Sequence, residues 1–118
     1  MNDNLFFSFE RLTVFQVAEE ALVIGLRERA CFKGLPGEIA SQVERALVSV
    51  VANIAEGAGR ESRADQRRHY TIARGSAEEA GAMIRIAWRY GNLTDENHGA
   101  MRTRLIRVVQ MLTAMARR

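Results

Sequence analysis

A chain of 118 residues, 47% apolar and 26% charged, is one domain long and can bury a core without staples, which excludes a disordered or fibrous chain. Its single cysteine, Cys31, excludes an internal disulfide framework and a cysteine-rich zinc site. The formal charge of +3 is uneven: residues 1–59 hold five Lys/Arg against eight Asp/Glu, and residues 60–118 hold twelve against six.

All basic residues but Lys33 are Arg, whose planar fork suits phosphate and carboxylate. The Arg excess is equally expected of a GC-rich genome, but that does not explain the asymmetry between halves. The longest nearly uncharged stretch, Ala46 to Ala55, is about half of a membrane span. No basic region precedes the Phe cluster near the N-terminus, so no signal peptide is expected. The expectation is a cytoplasmic, unprocessed protein without a membrane role.

Periodicity near 3.6 residues runs through the chain and strand alternation is missing, which predicts four helices. The first spans about 14–32. Thr13 is placed as its N-cap, Gln16 completes a capping box, and Leu12 and Val17 form a hydrophobic staple. Gly34 and Pro36 end it, and Val14, Ala18, Ala21, Leu22 and Phe32 face inward.

The second helix spans about 38–58, with Ile39, Val43, Ala46, Val50, Ile54 and Ala58 in one stripe. From Ala46 to Gly59 its only charge is Glu56, so something must cover it on both sides. A Glu56 buried there would need a partner: Arg60 one turn on is the nearest, and an Arg of a neighbouring subunit is another.

The third helix spans about 63–90. Ser62 and Asp65 form a capping box, Gly91 is placed for a left-handed C-cap, and Leu93 would close a Schellman contact. The fourth spans about 95–117, capped by Thr94, with a bundle seam at Met101, Leu105, Val108, Leu112 and Met115. Four helices of ~20 residues with short connections make one all-α domain over 1–118, an up-down-up-down antiparallel four-helix bundle.

At ~100° per residue the third helix has three faces. Tyr70, Ala73, Ala77, Ala80, Ile84, Ala87 and Trp88 form the core face. Arg63, Arg67, Arg74, Glu78, Arg85 and Arg89 form a stripe beside it, about 39 Å long. The stripe is open to two readings: a solvated face partly paired with acids, or a strip that follows a nucleic-acid backbone by salt-sensitive contacts. Arg60, Arg68, Arg102, Arg104, Arg107, Arg117 and Arg118 add to the same positive half, and no aromatic residue interleaves the stripe for base stacking. Ile72, Met83 and Ile86, with Glu79 among them, form a second apolar arc. That arc is either the edge of a wide core stripe or a subunit interface, and the bare end of the second helix points to the interface.

Catalysis lacks its parts. His69 follows Gln66 and His98 follows Asp95, so the paired Glu-x-x-His of a di-iron bundle is missing. His69 is placed to hydrogen-bond Asp65 one turn back, and Cys31 has no placed base. Gly57-Ala58-Gly59-Arg60 joins two helices, which rejects a dinucleotide fingerprint. It is either a turn or, with Arg60 and Arg63, an anion-binding helix start. No metal, cofactor or enzymatic activity is expected.

Three segments resemble a known bacterial family. Phe9-x-x-Leu12-x-Val14-Phe15-Gln16-x-Ala18 resembles its opening, and Asn53-Ile54-Ala55-Glu56-Gly57-x-Gly59-Arg60 its central signature. Ile72-Ala73-Arg74-Gly75-Ser76-x-x-Glu79 resembles its third-helix signature, and Tyr90-Gly91-x-Leu93 the end of that helix. The family is the 23S rRNA intervening-sequence proteins, which are similar to the accessory variability proteins of diversity-generating retroelements. The resemblance implies a four-helix bundle assembled into a homo-oligomeric ring, in relatives a homopentamer. It implies that some relatives are encoded within insertions in the large ribosomal RNA gene. It also implies that the retroelement relatives bind nucleic acid and a reverse transcriptase through a basic surface. By position it carries over Ser49, Asn53, Glu56, Arg60, Arg74, Ser76 and Glu79, none with a catalytic role. This chain departs from the pattern at Val51, where Pro is frequent, and at Ala80 and Ala82, where larger side chains are usual.

Two functions remain open. One is a homo-oligomer that binds RNA or another nucleic acid through Arg60, Arg63, Arg67, Arg74, Arg85 and Arg89. The other is a scaffold that docks a partner protein and has no nucleic-acid role. Ser49, Asn53, Glu56, Ile72, Ser76, Glu79, Met83 and Ile86 are the expected interface or signature residues.

Overall fold

The computed structural model describes residues 5–117. Among them every regular element is a helix: α1 (Thr13–Arg27), α2 (Arg29–Phe32), α3 (Ile39–Ala58), α4 (Arg63–Tyr90) and α5 (Asp95–Ala116). No helix of the described residues is long and apolar enough to cross a membrane.

The expected first helix is broken in two. Glu28 leaves helical geometry at φ −93°, ψ 11°. At the break its carboxylate accepts a hydrogen bond from Asn97 on α5 at 2.7 Å. That partner lies 69 positions away, beyond any local pattern. α2 then carries Phe32 into the core, and Arg29 pairs with Glu44 on α3.

The start of α1 also differs from expectation. Thr13 is the first helical residue, Leu12 is the N-cap, and no side chain caps it. Tight turns bond Glu10 N–H to Phe7 O and Leu12 N–H to Phe9 O. They bring the Glu10 carbonyl within 3.1 Å of the Gln16 amide, which bonds there instead of closing a capping box.

The other caps follow local chemistry. Ser62 accepts from Asp65 N–H at 3.1 Å, and Thr94 from Asn97 N–H at 3.1 Å. Gly91 takes φ +95°, its N–H bonds Trp88 O, and the Asn92 N–H bonds Ala87 O. That pair of bonds is the Schellman motif, and Leu93 is buried behind it.

α1 packs on α3, α3 on α4, α4 on α5, and α5 back on α1. The core between them holds Val43, Leu47, Val50 and Ile54 of α3 with Met101, Leu105, Val108 and Leu112 of α5. α4 contributes Tyr70, Ile84 and four buried alanines, Ala73, Ala77, Ala80 and Ala87. Burying one Ile side chain such as Ile54 or Ile84 stabilises the fold by about 2 kcal/mol. α3 and α4 approach so closely that a Cβ on Gly57 would lie 2.7 Å from the Tyr70 ring.

Candidate functional site

α4 is the longest helix, and three of its sides carry distinct chemistry. On the side toward α5 stand Arg63, Arg67, Arg85 and Arg89, all exposed. None has an acidic partner within ion-pair distance among the described residues, and Glu78 neutralises none of them. Arg74 is different: it is half-buried and donates to the Thr113 hydroxyl on α5 at 3.5 Å. The exposed Arg side chains therefore form two pairs, with about 27 Å of helix between Arg67 and Arg85. Arg60 lies apart on the α3–α4 connection, 3.9 Å from Glu56.

Between the two Arg pairs a groove of about 530 Å³ separates α4 from α5. Small residues, Ala77, Gly81 and Ala82, leave the space, and Arg85, His98 and Arg102 reach it. Burial, then the Arg102 and Arg85 charges, hold His98 below its ordinary value, and Asp95 opposes them. Sequence reasoning counted Arg102 only as part of the positive half. The signal available was the pair Gly81-Ala82, too small to fill a helix–helix seam.

On the side toward α3 a polar ladder crosses the helix contact. The Ser49 and Ser76 hydroxyls meet at 2.7 Å. The Asn53 amide donates to Ser49 O at 2.9 Å and to Ser49 Oγ at 3.2 Å. Its Oδ1 lies 3.2 Å from His69 Nδ1, which is also 3.4 Å from Glu56 Oε2. His69 thus bonds across to α3 and not to Asp65, which instead lies 3.9 Å from Arg68. The reason is its place at the α3 seam: its side chain is only 5% exposed, while Glu56, expected to be buried at an interface, is 59% exposed in the single chain. Burial likewise raises the Tyr70 hydroxyl, and the Glu28 carboxylate beside Cys31 raises that exposed thiol.

The third side is mixed: Ile72, Glu79, Ile86 and Tyr90 are exposed, while Ser76 and Met83 are half-buried. Ile72, Ser76, Glu79, Met83, Ile86 and Tyr90 step 4-3-4-3-4 along it, the spacing of a helix-packing seam. Ile72 and Ile86 are 40% and 41% exposed. On α3, Val48 is 47% exposed and Ala52 is exposed. One side of the bare end of the second predicted helix is therefore left uncovered by its own chain, while Leu47, Val50 and Ile54 are buried. No group of three or more metal-binding side chains gathers among the described residues.

A family model described as 23S rRNA-intervening sequence protein matches residues 11–114. Among solved structures, the crystal structure of a protein with unknown function from the S23 ribosomal protein family of Bacteroides thetaiotaomicron is similar in fold. It superposes with a TM-score of 0.81 at 21% identity, over 90% of this chain and 100% of that one. No curated protein matches the chain significantly.

Proposed function

The chain belongs to the 23S rRNA-intervening sequence protein family, and from that premise we propose that it acts as a non-enzymatic, homo-oligomeric helical bundle that binds RNA through the Arg side of α4. The observation that carries this reading is the set of four exposed, unpaired guanidinium groups at Arg63, Arg67, Arg85 and Arg89. Two Arg pairs along a rigid helix suit contact with two stretches of a phosphate backbone. Recognition is electrostatic, since the exposed Tyr90 lies on the outward seam and Trp88 is stacked against His98.

The short connections and the cycle of helix contacts support an up-down-up-down path. The uncovered seam on α3 and α4 supports self-association, and the family resemblance supports a ring of five. Five copies at +3 each would carry +15, which concentrates the field on a polyanion.

Titration of a labelled RNA hairpin at two salt concentrations tests this. The affinity should fall steeply with salt, and Arg63→Gln/Arg67→Gln should reduce the log–log slope by about two. Weak binding that barely changes with salt ends the RNA reading. A pull-down that returned one protein partner and no nucleic acid would favour the scaffold.

A further inference from the structure

The groove between α4 and α5 has the make-up of a small-molecule site. Its volume, about 530 Å³, lies within the range such sites occupy. Its walls are apolar: Ala77, Gly81 and Ala82 on one side, Leu105, Ile106 and Val109 on the other. Its polar groups are few, namely Arg85, Arg102, His98, Glu78 and Gln110.

His98 is the informative residue. It is 8% exposed, and its ring stacks on Trp88 with centroids 4.4 Å apart and planes 3° from parallel. Trp88 is in turn fixed by its indole N–H, which donates to Asp95 at 2.7 Å. The stack holds the imidazole in one plane with its ring nitrogens open to the groove and, among the described residues, without a protein hydrogen-bond partner. Arg85 and Arg102 also lack acidic partners. Two guanidinium forks and an unpartnered imidazole around an apolar trough match a carboxylate or phosphate carried on an apolar body.

We propose that this groove binds a small anion with an apolar body, its charge between Arg85 and Arg102 beside His98, its body along Gly81, Ala82, Leu105 and Val109. The site lies between the two Arg pairs of the RNA face and shares Arg85 with it. An anion there would favour the protonated imidazole and so raise the depressed His98 pKa.

The test is an NMR titration of the full chain at constant ionic strength, with the two His ring signals as reporters. Benzoate is the probe, acetate supplies charge without a body, benzamide a body without charge, and phenyl phosphate the other anionic head. Benzoate or phenyl phosphate should saturate, move His98 and raise its pKa, and leave His69 still. Acetate and benzamide should bind at least about tenfold more weakly. Ala82→Leu fills the trough from an exposed position, and Arg102→Gln removes a fork; each should weaken benzoate by about tenfold. Arg63→Gln/Arg67→Gln should leave benzoate binding unchanged, so the groove and the RNA reading fail separately. Shifts that never saturate, acetate as tight as benzoate, or full benzoate affinity in Ala82→Leu would overturn the proposal.

Discussion

The Ser49 and Ser76 hydroxyls meet at 2.7 Å across the contact between α3 and α4. Both side chains are half-buried, so neither oxygen has full access to water. Ser76→Ala should cost about 1 kcal/mol, because the Ser49 hydroxyl loses one of its two partners. Ser49→Ala should cost more, since Asn53 also donates to that oxygen at 3.2 Å. Urea midpoints at fixed protein concentration measure both. A double variant less destabilised than the sum of the singles would reveal the coupling.

Gly57 and Gly75 should respond to alanine with opposite signs. A Cβ at Gly57 would lie 2.7 Å from Tyr70 Cε1 and 3.1 Å from His69 Cβ, forcing α3 and α4 apart. Gly57→Ala should therefore destabilise by about 1–3 kcal/mol despite its better helix propensity. At Gly75, within α4, a Cβ meets nothing within 4 Å. Gly75→Ala should stabilise by about 0.5–1 kcal/mol. Thermal melts of the two variants provide the comparison.

Stability should depend on pH through His98. Burial and the charges of Arg102 and Arg85 lower its pKa from 6.5, so the unfolded chain binds the proton more readily. The contribution of neutral His98 is complete above the unfolded value and is lost as pH falls through the depressed folded value. His98→Gln should flatten the pH dependence of the urea midpoint below about pH 6.5. A wild-type midpoint that rose on acidification through that window would contradict this assignment.

The parts of this fold that are legible in sequence are those decided within one helical turn. Ser62 and Thr94 cap the helices they precede, and Gly91 with Leu93 ends α4, because each uses only neighbouring amides and carbonyls. The core face of α4 follows from spacing alone. The break at Glu28 was not legible, because its partner Asn97 lies on α5. Nor was the partner of His69: Asp65 is nearer in sequence, but Asn53 and Glu56 lie across the seam. For the candidate site, the Arg stripe was visible as a pattern. The withdrawal of Arg74 onto Thr113, 39 positions away, and the groove that joins Arg85, Arg102 and His98 depend on how α4 and α5 meet.

Ile72→Arg and Ile86→Arg should loosen self-association without unfolding the chain, since both side chains are already exposed in the single copy. Each places a charge on the outward seam of α4, where a partner surface would have to desolvate it. Circular dichroism should be unchanged while sedimentation slows. Unaltered sedimentation in the double variant would remove the seam from the interface.

Light scattering at micromolar protein tests the assembly itself, on which the concentrated positive field depends. A molar mass several times that of the 13.2 kDa chain is the predicted result. A stable, monodisperse single chain at that concentration would contradict it.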